Sequence, residues 1–274
     1  MGHDWNGRLA LIWTKMVGPS RPTISEMAIY DKWAKRLQKI TDRRLNLLVL
    51  GSTPEFRDWG FENDFNITVM DCNSDYHDEI FREIRHKCIK EQYLCCKWQD
   101  MDLEDKFDII IGDLVIGNIP PNDLEGFIWR VSKALTKNGL FLGKSFYKKK
   151  DYIAPTPEEL IRSFYNNSPC HPYSALAYDL TINCIDKDNM LSFPKQYALL
   201  KKLNQQGVLS DDTFEYFKNV GWDCDMDFLF HVPILEEYEA LLEKYLHIYA
   251  IEYGNEVYSD RFPLHIVCKK NSKI

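Results

Sequence analysis

Five short apolar runs punctuate the first 150 residues, each of strand length and each closed by a polar or glycine-containing turn: 47–50, 67–71, 93–98, 107–112 and 140–146. They are near-continuous rather than alternating, as expected for strands buried on both faces of a parallel sheet. Between them lie amphipathic stretches of helical period, over 76–90 and 124–135. Later come a helix from about Asp211 stopping before Gly221, a strand over 223–231, a helix over 235–253 and a strand over 262–268. The order predicts a seven-stranded, mostly parallel α/β sheet with helices on both faces.

Two stretches lie outside this rhythm. Ahead of the first strand, Met27, Ile29 or Tyr30, Trp33, Leu37 and Ile40 recur at helical spacing, with Ser25 placed to cap the start. The turn GPSRP, 18–22, separates this helix from an earlier one around 9–16. After strand five, residues 147–209 hold a helix opened by Pro157, an aromatic and proline-rich stretch, and a helix around 194–203. The expected organisation is therefore an N-terminal helical extension, 1–41, as a lid candidate. It precedes one domain, 42–274, which carries the 147–209 insertion as a cap or substrate-binding candidate.

A length of 274 residues suits one elaborated domain with a sizeable core. The net charge of −7 is the wrong sign for gripping a phosphate backbone, so nucleic acid is a disfavoured partner. The one basic cluster, Lys144 with Lys148, Lys149 and Lys150, reads as a solvated strand exit. No apolar stretch approaches the roughly 18 residues of a membrane span. Eight cysteines show no C-x-x-C pair, and the N-terminus lacks the pattern of a signal peptide, so a reducing cytoplasm is expected.

The candidate chemistry follows the strand tips. The first strand ends at Gly51 and turns through Ser52, Thr53, Pro54 and Glu55, and Asp71 closes the second strand. Glycine lets backbone approach a ligand, and a carboxylate on the neighbouring strand tip can take both hydroxyls of a ribose. Cys72 and Asn73 adjoin it, Asp100, Met101 and Asp102 follow the third strand, and Asp113, Leu114 and Val115 follow the fourth.

In this order the signals resemble a class I S-adenosylmethionine-dependent methyltransferase, over about 46–146 and more loosely over the last two strands. The resemblance implies that the 51–55 turn wraps the methionine part of S-adenosylmethionine, whose product is S-adenosylhomocysteine. It implies that Asp71 holds the ribose, with Cys72 and Asn73 along the same wall. Asp100 or Asp102 would take the adenine amino group, with Met101 on the ring face. Gly112 to Val115 would meet cofactor and acceptor, with Asp113 a general base or a structural acid. The turn departs from the usual form: Val49 stands where an acid is common, and Thr53 and Glu55 replace glycines. A carboxylate beside a pyrophosphate is unfavourable, so the departure weakens a dinucleotide reading more than a methyltransferase one. The NIPP segment, 118–121, superficially resembles the N-P-P-aromatic motif of amino-directed nucleic-acid methyltransferases, but its order differs and the aromatic is missing.

Acceptor contacts are expected from the additions to the core. His171, Tyr173, Tyr178 and Asp179 fall in one segment of the insertion, and Trp13, Arg21 and Tyr30 are the N-terminal candidates; each also suits plain packing. The leading expectation is methyl transfer to a small molecule, with the methylated element and the oligomeric state open. The alternatives are a non-catalytic module binding the same cofactor and, further off, an NAD-dependent enzyme lacking G-x-G-x-x-G.

Overall fold

The computed structural model describes residues 7–167, 173–220 and 230–272. Its centre is a seven-stranded sheet of β1 (Asn46–Leu50), β2 (Asn66–Asp71), β3 (Glu91–Cys95), β4 (Phe107–Asp113), β5 (Leu135–Lys144), β6 (His247–Glu252) and β7 (Leu264–Cys268). The strand order is β3-β2-β1-β4-β5-β7-β6, with β7 antiparallel to both neighbours and the other pairings parallel.

Two apolar layers explain why the strands read as continuous runs. Leu48, Leu50, Ile110, Phe141 and Val267 face one side, where they meet Phe127 and Val131 of α5 (Leu124–Ala134) and Leu242 of α10 (Leu235–Tyr245). Leu47, Val49, Ile109, Ile111, Leu140 and Ile266 face the other. There they meet Tyr30, Trp33 and Leu37 of α2 (Ile24–Gln38) with Phe56 and Trp59 of α3 (Pro54–Glu62). The additions have contacts of their own. α1 (Gly7–Ile12) sets Ala10 and Ile12 against Tyr76 and Ile80 of α4 (Ser74–Ile80). α6 (Pro157–Asn167), α7 (Tyr173–Thr181), α8 (Phe193–Gln205) and α9 (Asp211–Asn219) enclose a separate core around Phe164, Leu180, Leu200 and Phe217.

Four expectations are corrected. The strand placed over 223–231 falls largely on residues outside those described; the helix read to 253 is what changes, since its second half forms β6. α10 ends at Tyr245, after which His247, Tyr249 and Ile251 are exposed while Ile248, Ala250 and Glu252 turn inward. That is the period of a strand, carried by β-branched and aromatic residues. The helix expected to reach residue 90 stops at Ile80 and a 3₁₀ turn follows it. The buried Asp58 carboxylate draws in the backbone N–H groups of Arg85 and His86, each donating to Oδ1 at 3.0 Å, so the chain leaves the helix to satisfy a charge on α3. Thr23, not Ser25, caps α2, in a reciprocal capping box with Glu26, while Ser25 donates to Glu256. Lys144 is not a solvated exit residue, for its side chain is fully buried.

Candidate functional site

Strand order reverses at β1 and β4, and a cavity of about 270 Å³ opens outside the carboxyl ends of the strands there, where open α/β sheets take ligands. Its floor is the turn after β1. Gly51 has φ +84° and its N–H donates to the Met70 carbonyl at 2.8 Å. The Trp98 indole N–H donates to that same carbonyl at 2.8 Å, which lays the ring across the tip of β2. A Cβ on residue 51 would stand 3.4 Å from the ring, an ordinary contact, so it is the dihedral that calls for glycine. Gly51→Ala should cost about 1–2 kcal/mol from the left-handed backbone alone. Urea denaturation of the variant checks this, with Gly126→Ala as control, a helical glycine outside the left-handed region and with nothing within 4 Å of an added Cβ.

Asp71 is 7% exposed and lines the cavity. Its Oδ2 accepts from the Ser52 hydroxyl at 2.9 Å and its Oδ1 from the Asn73 N–H at 3.1 Å, which fixes the carboxylate at the strand tip. Behind Ser52 lies His77, whose Nδ1 is 3.3 Å from the hydroxyl, and then a pair between Glu91 and Arg57, whose side chain is fully buried. Burial, and next the Arg57 charge, push the His77 imidazolium down to about 4, so the ring is neutral at physiological pH.

The fourth strand delivers Asp113. Leu114, which follows it, has φ +56°, an uncommon conformation for a branched residue. It is held there because its N–H donates to the Lys144 carbonyl at 2.9 Å and its own carbonyl accepts from Asn118 Nδ2 at 3.0 Å. Asp113 Oδ1 lies 3.0 Å from Lys144 Nζ, which also donates to Glu26 Oε2 at 2.8 Å and to the Pro19 carbonyl at 3.1 Å. The Glu26 and Lys144 side chains have no exposed surface and that of Asp113 has 4%. Burial pushes the Asp113 carboxyl up to about 7; Lys144 opposes this and Glu26 adds to it. Burial alone would lower the Lys144 ammonium, but Asp113 and Glu26 hold it above its ordinary range.

The cavity collects Gly51, Ser52, Thr53, Asp71, Cys72, Asp113, Leu114 and Trp13 from the candidates. Val115 is buried against the sheet, and Asn73 caps α4 from behind the wall. Pro54 and Glu55 face a different groove, between α2 and α3, where Glu55 pairs with Arg21. Tyr30 is buried edge-on against Phe56. Asp100 and Asp102 are exposed and Met101 belongs to the core under the sheet; Trp98 and Gln99 occupy the wall expected of them. Tyr173 packs on Tyr216, Tyr178 lies among Phe146, Phe230 and Phe262, and Asp179 pairs with Arg261. His171 lies outside the described residues. None of the described residues of 147–209 lines the cavity. Instead, Ser174 donates to the Gly18 carbonyl at 2.6 Å and braces the turn that does. Sequence reasoning passed over Ser20, Tyr76, Lys97, Trp98, Gln99 and Asp123, and it set aside the NIPP segment, whose Asn118 and Pro120 line the cavity. A tryptophan directly after a strand at this edge was the available signal for Trp98.

The fold is that of the class I S-adenosylmethionine-dependent methyltransferases, a Rossmann-like sheet with its reversed strand placed inside one edge. One similar solved structure is a methyltransferase of this kind from Clostridium acetobutylicum, 13% identical, matched over 96% of this chain and 98% of that one with a TM-score of 0.57. Another, described as a putative zinc-dependent alcohol dehydrogenase from Rhodobacter sphaeroides, is 13% identical over 97% and 99% with a TM-score of 0.59. A third is the N-methyltransferase NodS from Bradyrhizobium japonicum in complex with S-adenosylhomocysteine, 12% identical over 90% and 89% with a TM-score of 0.50. No protein-family model matches the sequence, and neither does any curated protein.

Proposed function

We propose that this protein is a methyltransferase that uses S-adenosylmethionine and acts on a small-molecule acceptor. The observation that carries the reading is the joint placement of Gly51, at positive φ, and Asp71 on adjacent strand tips around one cavity at the switch point. The residues present fit the cofactor. Gly51 to Thr53 offer close backbone for the amino-acid part, Asp71 a carboxylate for the ribose diol, and Trp98 with Gln99 a ring face and an amide for adenine. When bound, the cofactor supplies an electrophilic methyl group on a positively charged sulfur. Asp113, Asn118 and Asp123 line the part of the wall left for an acceptor, and Trp13 and Ser20 close it from the N-terminal side.

Two of the matched structures, a methyltransferase and one in complex with S-adenosylhomocysteine, support this reading. The dehydrogenase alternative is weakened by the turn itself, where Thr53 takes a glycine's place. The acidic balance of the chain, −7, favours a small acceptor over nucleic acid. Isothermal calorimetry should detect S-adenosylhomocysteine binding by the wild-type chain and none for NAD. Binding of NAD alone, or of neither, would sink the reading.

A further inference from the structure

At the acceptor side of the cavity, two buried carboxylates share one buried ammonium. Lys144 sits between Glu26 Oε2 at 2.8 Å and Asp113 Oδ1 at 3.0 Å, so the cluster carries one negative charge more than it can balance internally. The remaining groups around Asp113 do not correct this. Glu55, itself paired with Arg21, adds a smaller negative field from α3. The phenols of Tyr30, Tyr178 and Tyr258, from α2, α7 and the turn before β7, are all pushed well above neutrality, by burial first, and stay protonated. An excess negative charge in a low-dielectric site is relieved by taking up a proton, and of the two carboxylates only Asp113 lines the cavity.

We infer that Asp113 is the proton acceptor for methyl transfer, and that Glu26, acting across Lys144, is the positioning residue that sets its proton affinity. This rests on the methyltransferase reading. The lone pair of the acceptor atom forms the new bond to carbon, the carbon–sulfur pair leaves with sulfur as a neutral thioether, and Asp113 takes the proton that the acceptor atom releases. Proton uptake makes the Glu26–Lys144–Asp113 cluster neutral, so the step removes the charge that burial penalises. Such a base serves an acceptor that loses a proton on methylation, a hydroxyl or an amine. The direction at Asp113, up to about 7 with burial as the main cause, agrees with a base poised at neutral pH.

The test is a carboxyl ¹³C NMR titration of the aspartate-labelled protein, with the Asp113 signal identified by its loss in Asp113→Asn. Wild type should titrate near neutrality. Glu26→Gln, which keeps an acceptor for the capping box, should lower the midpoint by about one pH unit, a tenfold loss of proton affinity. Glu26→Asp, which keeps the charge, should restore most of it. If the Gln variant does not fold, Glu26→Ala, which leaves the Thr23 cap in place, is read the same way. A wild-type midpoint below about pH 5, or no movement in the folded variant, overturns the inference. Calorimetry with S-adenosylhomocysteine on the same samples separates the two readings. Absent binding by wild type removes the cofactor reading whatever the titration gives, and intact binding with an unmoved midpoint removes only this one.

Discussion

Replacing Lys144 with Met should lower the stability of the folded chain by about 3–5 kcal/mol, the usual cost of leaving buried charge without its partner. The substitution is close in shape, so packing is not the main term. What is lost is the single cation between Glu26 and Asp113, together with a hydrogen bond to the Pro19 carbonyl. Both carboxylates would then have to protonate or draw in water. The loss should therefore be largest above pH 7 and shrink as pH falls. The sign follows from linkage: an acid whose folded pKa is raised contributes stability that is present at low pH and lost as pH rises through that value. Adding Glu26→Gln and Asp113→Asn to Lys144→Met should recover most of the loss, because a neutral hydrogen-bonding set is far cheaper to bury than unpaired charge. Denaturant unfolding at pH 8 and pH 5 reads all three effects. A cost below about 1 kcal/mol for the single variant, in the range of exposed pairs, would mean that the cluster is solvated.

Asp71→Ala should weaken S-adenosylhomocysteine binding at least about a hundredfold, since hydrogen bonds to a charged group are each worth about 1.5–3 kcal/mol and a ribose diol offers two. The variant also frees Ser52 and the Asn73 N–H, which both donate to this carboxylate. Asp71→Asn separates the contributions: it keeps the shape and one acceptor oxygen, and should fall between wild type and Ala. Calorimetry gives the affinities, and a thermal melt without ligand shows how much of the change belongs to the fold. Equal affinities for wild type and Ala would remove Asp71 from the ligand contacts.

The strands were legible because β1, β2 and β4 are buried on both faces, and continuous burial writes a continuous apolar run. β6 was not, since an edge strand half exposed behind a helix can share that helix's apolar phase for several residues. Gly51 and Asp71 were legible as a site because their roles depend on position within a strand–turn–helix unit, which is local. Lys144 was misread for the opposite reason: its partner Glu26 lies 118 residues earlier, and no local pattern distinguishes a lysine that enters the interior from one that leaves it. The early end of α4 is of the same kind, set by Asp58 on another helix. At the adenine wall the acids were sought where chemistry would use them, but the chain turns so that Trp98 and Gln99 face the cavity and Asp100 faces water.

The Pro19 carbonyl and the Glu26 carboxylate on Lys144 bear on where this protein can be divided. By sequence, residues 1–41 are an appendage to a domain that begins at 42, and a chain trimmed there would retain all seven strands. Yet it would leave the Lys144 ammonium facing Asp113 alone, strip the cavity of Trp13 and Ser20, and expose the apolar face of β1 that α2 covers. The N-terminal residues and the tips of β4 and β5 therefore form one electrostatic unit, and the smallest piece able to present this cavity includes both.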